Sequence, residues 1–423
     1  MNIIAGPAIE EEMKKRVSIV LAGIGGMGSV YLASLIEPKS SGLFRLEGAV
    51  DPCPQMSPSF EALRSLNIPV FESLEDFYSR HRADLAIISS PIQFHGSQTC
   101  LALSQGSHVL CEKPAAATVQ EVRQMIGVSK KAGRWVAVGY QWSFSTAIKN
   151  LKEDIRKGLF GKPRRLRCLY LWPRDEAYYR RNAWAGKQKD ERGRWVLDSP
   201  ANNAMAHDLH NMFFVLGKKR ELSAEPWRVE AELYRAYDIP NFDTAAIRCF
   251  TQENVEILFY VSHAAAVDTG PVFSYEFEKG TISSSGRNSD IEGRLSDGGA
   301  KNYGSADSEP LQKLWEAIGL AGSAGLPACG LEAAMSQTLC LNAAQDSMPR
   351  IKNFPRSLLV ERGDPQNRSI SVKGLAKVLK ECYDMCVLPS ELGVSWSKKG
   401  QVIDLTSYGD FPGGKIGGHK LNF

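Results

Sequence analysis

The sequence predicts an α/β fold: an N-terminal Rossmann domain with a doubly wound parallel sheet, followed by a C-terminal α+β domain. Three observations carry that expectation. The first is Gly23-Ile24-Gly25-Gly26-Met27-Gly28, set between the apolar run 16–22 and Val30, Tyr31, Leu32, Leu35 and Ile36 at helical spacing. The second is the alternation of short apolar runs with amphipathic stretches over residues 16–142, which implies parallel strands joined by helices. The third is a change beyond residue 142, where longer β-like runs follow one another without helices between them, as in an antiparallel or mixed sheet. The chain is therefore divided into residues 1–142 and 143–423.

Strand, tight turn and helix at 16–36 form a dinucleotide cradle. Gly23 permits the turn, Gly25 lets a pyrophosphate approach the backbone, and Gly28 lets helix and strand pack closely, with Ile24, Gly26 and Met27 completing the loop at the positive helix end. The run Phe44–Val50 reads as the second strand. Asp51 closes it, 23 residues past Gly28, where a carboxylate can accept hydrogen bonds from both ribose hydroxyls of an adenosine. A 2′-phosphate would meet like charge there, and Pro52-Cys53-Pro54 offers no arginine to receive it, so NAD is the expected cofactor.

Further strands are expected at 69–71, 85–88, 108–111 and 135–138, with helix-opening capping boxes at Ser73–Asp76 and Thr118–Glu121. Ligands of such a sheet lie at the carboxyl ends of its strands, so Ser89-Ser90-Pro91, Glu112-Lys113-Pro114 and Gly139-Tyr140-Gln141 should face one crevice.

In the second part a helix is expected near 146–157, and extended runs at 165–172, 227–237, 244–251, 255–263 and 272–283. Helical stretches at 206–216, 311–320, 331–345 and 372–386 can cover one face of that sheet. Residues 284–309, rich in Ser, Gly, Asp and Asn, read as a surface loop, and the glycine-rich tail from Gly400 as a mobile segment or an oligomer arm.

Composition narrows the function classes. At 423 residues the chain can bury a large core, and a net charge of +4 is too mild to argue for nucleic acid or a membrane surface. No helix-turn-helix or zinc-finger spacing occurs. The nine cysteines form no C-x-x-C pair and are odd in number, which predicts thiols in a reducing compartment. Residues 1–12 do not read as a signal peptide and no window approaches a membrane span, so a cytoplasmic protein is expected.

Taken in order, Gly23 to Gly28, Asp51, Ser90-Pro91 with His95, Glu112-Lys113-Pro114, and a helix-opening His207 with Gly217 ten residues on resemble the Gfo/Idh/MocA oxidoreductase family, the group of glucose-fructose oxidoreductase and inositol dehydrogenase. The resemblance covers most of the chain. It implies an open, mostly antiparallel sheet in the second domain, used by many members to form dimers and tetramers. It also places Ser90, Pro91, His95, Glu112 and Gln141 beside the cofactor, and Lys113 against both the nicotinamide and the reacting hydroxyl. A lysine half-desolvated there should have a lowered pKa, suiting it to proton exchange.

Many members carry Asp-x-x-x-His where this chain has Asn203 and His207. An amide can bind a sugar hydroxyl but cannot take a proton, which shifts the proton work toward His207 and Lys113. His207 is then expected to titrate in the histidine range. His210, three residues on, reads as a substrate contact or a structural histidine, and no metal is expected, because no carboxylate-rich partner segment accompanies the pair.

Before that helix, Tyr179, Arg181, Asn182 and Trp184 belong to a stretch crowded with flat rings and arginines, which suits a carbohydrate. From Lys157 to Arg194 there are 12 Lys or Arg against 4 Asp or Glu, which suits an acidic or phosphorylated substrate or a solvated basic loop. His263, closing its run, reads as reaching the site or as a sheet-edge histidine. Three functions fit: an NAD-dependent dehydrogenase of a sugar or cyclitol hydroxyl, a lyase or glycosidase that recycles tightly held NAD, and a non-catalytic NAD-binding sensor. A homodimer or homotetramer is expected.

Overall fold

The computed structural model describes residues 16–37, 42, 44–364 and 367–413. The expectations for residues 1–12 and for the last ten residues of the tail lie outside these. Among the described residues a six-stranded parallel sheet is built from β1 (Val17–Ala22), β2 (Phe44–Val50), β3 (Val70–Phe71), β4 (Leu85–Ile88), β5 (His108–Cys111) and β6 (Val136–Val138), in the order β3-β2-β1-β4-β5-β6. Helices α1 (Met27–Leu35), α2 (Phe60–Ser65), α3 (Leu74–Arg80), α4 (Ile92–Ser104) and α5 (Val119–Ala132) connect the strands. Every residue of β4 is buried, as a strand covered on both faces requires. The start of α5 follows its sequence signal: Glu121 accepts from the Thr118 backbone N–H at 2.9 Å and from its hydroxyl at 2.6 Å. Strand order reverses between β1 and β4, which opens a crevice at their carboxyl ends.

The second sheet is ten-stranded and mixed. After α6 (Thr146–Arg156) come β7 (Pro163–Leu171), α7 (Glu176–Arg180), α8 (Ala206–Val215), β8 (Pro226–Arg235), β9 (Thr244–Thr251), β10 (Glu256–Ser262), β11 (Thr269–Phe277), β12 (Gly280–Ser284), β13 (Glu292–Leu295) and β14 (Ala300–Asn302). The run expected as one strand at 272–283 is thus the hairpin β11–β12, and the expected loop 284–309 contains the hairpin β13–β14. Apart from β7 with β10 and a short pairing of 352–353 with β8, the pairs are antiparallel.

Both faces of this sheet are apolar. Ile257, Phe259 and Val261 of β10 join the main core, whereas Leu258 and Tyr260 join a second one with Leu169, Leu171 and Tyr234. Four helices on one face could not cover both, and the chain divides them. Helix α8 and α10 (Leu331–Ser347) pack on the first face, while α9 (Gln312–Ala321) leaves the sheet to pack on β4 and β5. The opposite face is covered by α11 (Leu375–Met385) through Leu375, Leu379 and Cys382, together with Trp396.

Residues 400–413 are not a free arm. Gly400 approaches Ala231 so closely that a Cβ would stand 2.0 Å from its carbonyl oxygen, and 403–404 pair with β8. Phe411 exchanges hydrogen bonds with the Gln120 side chain at 2.7 and 3.0 Å, which ties this segment across the start of α5. All nine cysteines are unpaired, and no described helix is long and apolar enough to cross a membrane.

Candidate active site

The glycine turn is shaped by what its positions can hold. A Cβ on Gly28 would stand 1.9 Å from the Gly23 carbonyl oxygen, and one on Gly23, at φ +82°, would strike the Ser89–Ser90 backbone at 2.7 Å. At Gly25 a Cβ would meet nothing within 4 Å, which leaves clear space before the N-terminus of α1. Tight packing behind and free space in front fit a pyrophosphate seated on backbone N–H groups. Asp51 is fixed at the rim: its carboxylate accepts from Ile24 N–H at 3.1 Å and Cys53 N–H at 2.9 Å, which leaves acceptor capacity for a ribose.

Two residues expected beside the cofactor, His95 and Glu112, are buried and bonded within the protein. Both ring nitrogens of His95 face backbone carbonyls, Nδ1 that of Pro114 and Nε2 that of Ser90, each at 2.8 Å, so this buried ring ties the loop after β4 to the loop after β5. Glu112 is also buried. Its Oε1 accepts from the Tyr31 hydroxyl and from Lys313 Nζ at 2.5 Å, and its Oε2 from Lys113 N–H at 3.2 Å. Burial would raise the Glu112 carboxyl, but the Lys313 ammonium and the hydrogen bonds outweigh it and hold the group low. Ser90 donates to Gln98 at 2.5 Å, Pro91 caps α4, and Gln141 donates to Asp307 at 3.3 Å.

Lys113 projects from the carboxyl end of β5. Its Nζ donates to the Asn203 backbone oxygen at 2.6 Å and to Asn203 Oδ1 at 3.0 Å. Burial brings its ammonium down to about 8; Glu112 opposes the shift and Lys313 reinforces it. Behind the amide stands Asp198, which the sequence reading missed. Asn203 Nδ2 donates to Asp198 Oδ1 at 2.8 Å, and Gly186 N–H to Asp198 Oδ2 at 2.6 Å. Burial raises this carboxyl, with Arg181 pulling it back. The family's spacing points to position 203, and no local pattern marks an acid five residues earlier.

The histidines divide. His207, at the start of α8, keeps Nδ1 buried without a partner, and burial followed by the Lys113 charge holds the ring well below its ordinary range. That direction runs against the titration in the histidine range expected for this residue. His210 does not reach the crevice. It is fully buried, stacked 3.9 Å from the Tyr140 ring, with Nε2 on Ser143 at 3.0 Å, so the substrate-contact reading is corrected to a structural one. Gly217 is also structural, since a Cβ there would stand 1.8 Å from the Leu222 carbonyl oxygen.

Of the aromatic stretch, Arg181 lies 3.7 Å above the Tyr178 ring and 3.9 Å from Asp198, beside the lysine. Tyr179 bonds its hydroxyl to Nδ1 of buried His263 at 3.0 Å. Asn182 Oδ1 accepts from the N–H groups of Trp184 and Ala185, which caps its own turn, and Trp184 packs on Ile92, Ala117 and Val196. Asn182 and Trp184 thus hold the local structure of this segment. No group of three or more His, Cys, Asp or Glu among the described residues could hold a metal.

A glycine-cradled crevice with a lysine at its mouth defines the class: a Rossmann domain of the dinucleotide-binding type. Residues 17–140 match the model of the Gfo/Idh/MocA oxidoreductase family, described by its NAD-binding Rossmann fold. The chain is 29% identical over 162 residues to the rhizopine catabolism protein MocA of Rhizobium meliloti, covering 38% of this chain and 48% of that protein. Inositol 2-dehydrogenase of Klebsiella pneumoniae is 27% identical over 156 residues, 37% of this chain and 42% of the relative. The matched region thus spans less than half of each. Among solved structures, the WlbA dehydrogenase of Bordetella pertussis, in complex with NADH and UDP-GlcNAcA, shares the fold with TM-score 0.63 at 19% identity, over 79% of this chain and 97% of that one.

Proposed function

We propose that the protein is an NAD-dependent dehydrogenase that oxidises a secondary hydroxyl of a sugar, sugar derivative or cyclitol. The observation that carries this reading is Lys113, an amine at the carboxyl end of β5 with its pKa lowered to about 8, tethered to Asn203 beside the glycine cradle. The cofactor, when bound, supplies the two-electron acceptor, and Gly23 to Gly28, Asp51 and the Ser90 loop would hold it.

Neutral Lys113 takes the hydroxyl proton as the carbon is oxidised. Asn203 aims Nζ and, through its second hydrogen bond, stays fixed to Asp198. His207, whose ring is held below its ordinary range by burial and the Lys113 charge, orients the hydroxyl. The Glu112–Lys313 pair keeps the loop after β5 rigid below the site. Asp51 supports NAD over NADP, because a 2′-phosphate would face its carboxylate. The reading is tested by incubating the protein with NAD and a panel of sugars, sugar acids and inositols: NADH forming in step with a keto product supports it, and substrate conversion with no net NADH indicates recycled cofactor instead.

A further inference from the structure

We propose that Arg174, Arg181 and Arg287 form the recognition site for an anionic group, a carboxylate or a phosphate, carried by the substrate. The proposal rests on the dehydrogenase reading for the rest of that substrate. The three come from separate segments, after β7, at the end of α7, and between β12 and β13, yet they form one file over two rings. Arg174 and Arg287 lie 3.6 and 4.2 Å from the Trp172 ring, and Arg174 and Arg181 lie 4.6 and 3.7 Å from the Tyr178 ring.

Their charges are unevenly matched. Arg287 is paired with Asp268 at 2.9 Å. Arg181 donates to the Tyr178 carbonyl at 2.5 Å, and the one acid in its reach among the described residues is Asp198, at 3.9 Å, already engaged by Gly186 and Asn203. Arg174 has no ion pair among the described residues, and its Nε is buried without a hydrogen-bond partner, as is Nε2 of His263. Asp208 forms no ion pair with these arginines, and burial, with Asp307 adding, pushes its carboxyl well up. Burial also pulls Arg174 below its ordinary value, with Arg287 and Arg181 among the groups adding to the effect. Like charges gathered over shared rings repel in a half-buried setting. A planar or tetrahedral anion would offset that repulsion and satisfy the orphaned donor. Because Arg181 shares Asp198 with the amide that holds Lys113, the anion site adjoins the proton-transfer end.

The test uses NAD-saturated protein at constant ionic strength and measures thermal shift with D-glucuronate, D-galacturonate and glucose phosphate against glucose and galactose. At least one charged sugar should bind about tenfold or more tightly than its neutral counterpart, and Arg174→Gln should remove that preference. Whether uronates or the phosphate carry the preference identifies the anion. Arg287→Gln, in a more exposed loop, serves if Arg174→Gln does not fold. The proposal is overturned if no charged sugar outperforms its neutral counterpart, or if the preference survives substitution of Arg174, or of Arg287 where Arg174→Gln does not fold. NADH produced from neutral sugars without any charge preference would sink the anion site and leave the dehydrogenase reading standing; charge-dependent binding with no NADH from any sugar would do the reverse.

Discussion

Asn203 donates its amide N–H to Asp198 Oδ1 at 2.8 Å while its Oδ1 accepts from Lys113 at 3.0 Å, so the carboxylate that the family's spacing places at 203 stands one hydrogen bond behind it. The lysine is thereby held by a neutral group, and burial lowers its pKa against the opposing charges of Glu112 and Asp198.

Asn203→Asp should therefore raise the Lys113 pKa. A new carboxylate against Nζ favours the ammonium form, so the pH at which the free amine appears moves up from about 8 by about one unit or more. The ascending limb of kcat/KM for alcohol oxidation should follow. An unshifted limb would mean that another group takes the proton.

Lys113→Ala should leave NAD affinity nearly intact and lower turnover by about a hundredfold or more. Cofactor titration beside steady-state kinetics separates the two effects. Near-normal turnover would move the proton transfer elsewhere.

For Asp51→Ser, the gap between NAD and NADP affinity should narrow. The substitution removes ribose hydrogen bonds worth roughly 1.5–3 kcal/mol each together with the repulsion of a 2′-phosphate. Competitive titration of the two dinucleotides reads it, and an unmodified protein that prefers NADP would contradict the role given to Asp51.

Lys313→Met should destabilise the fold by about 3–5 kcal/mol, because it strands the buried Glu112 carboxylate without its cation. Adding Glu112→Gln should recover much of the loss. Urea unfolding of the single and double variants measures the coupling, and purely additive losses would show that the pair does not act as a unit.

That pair also marks where sequence reading stops. The glycine turn, Asp51 and Lys113 were legible because each is a local pattern tied to one strand end. Lys313 lies 201 residues from Glu112, and nothing local connects a lysine in an amphipathic helix to a carboxylate at the end of β5. Asp198 escaped for a related reason, its role existing only through Asn203. The cover on the second sheet was legible in part: apolar residues of both parities in β10 require two covered faces, yet which helix serves which face is a matter of tertiary packing. At 272–283, the apolar positions Phe273, Tyr275 and Phe277 give way to Ile282, and that slip of parity is the signature of the hairpin that a single strand cannot show.

The most direct test of the central claim is the stoichiometry of NADH to keto product during turnover of the best substrate in the panel, followed across pH. The account predicts one NADH per keto group formed, with a rate that rises as pH passes through about 8 as Lys113 loses its proton. Conversion of substrate with no accumulated NADH, or a rate indifferent to pH through that range, would contradict it.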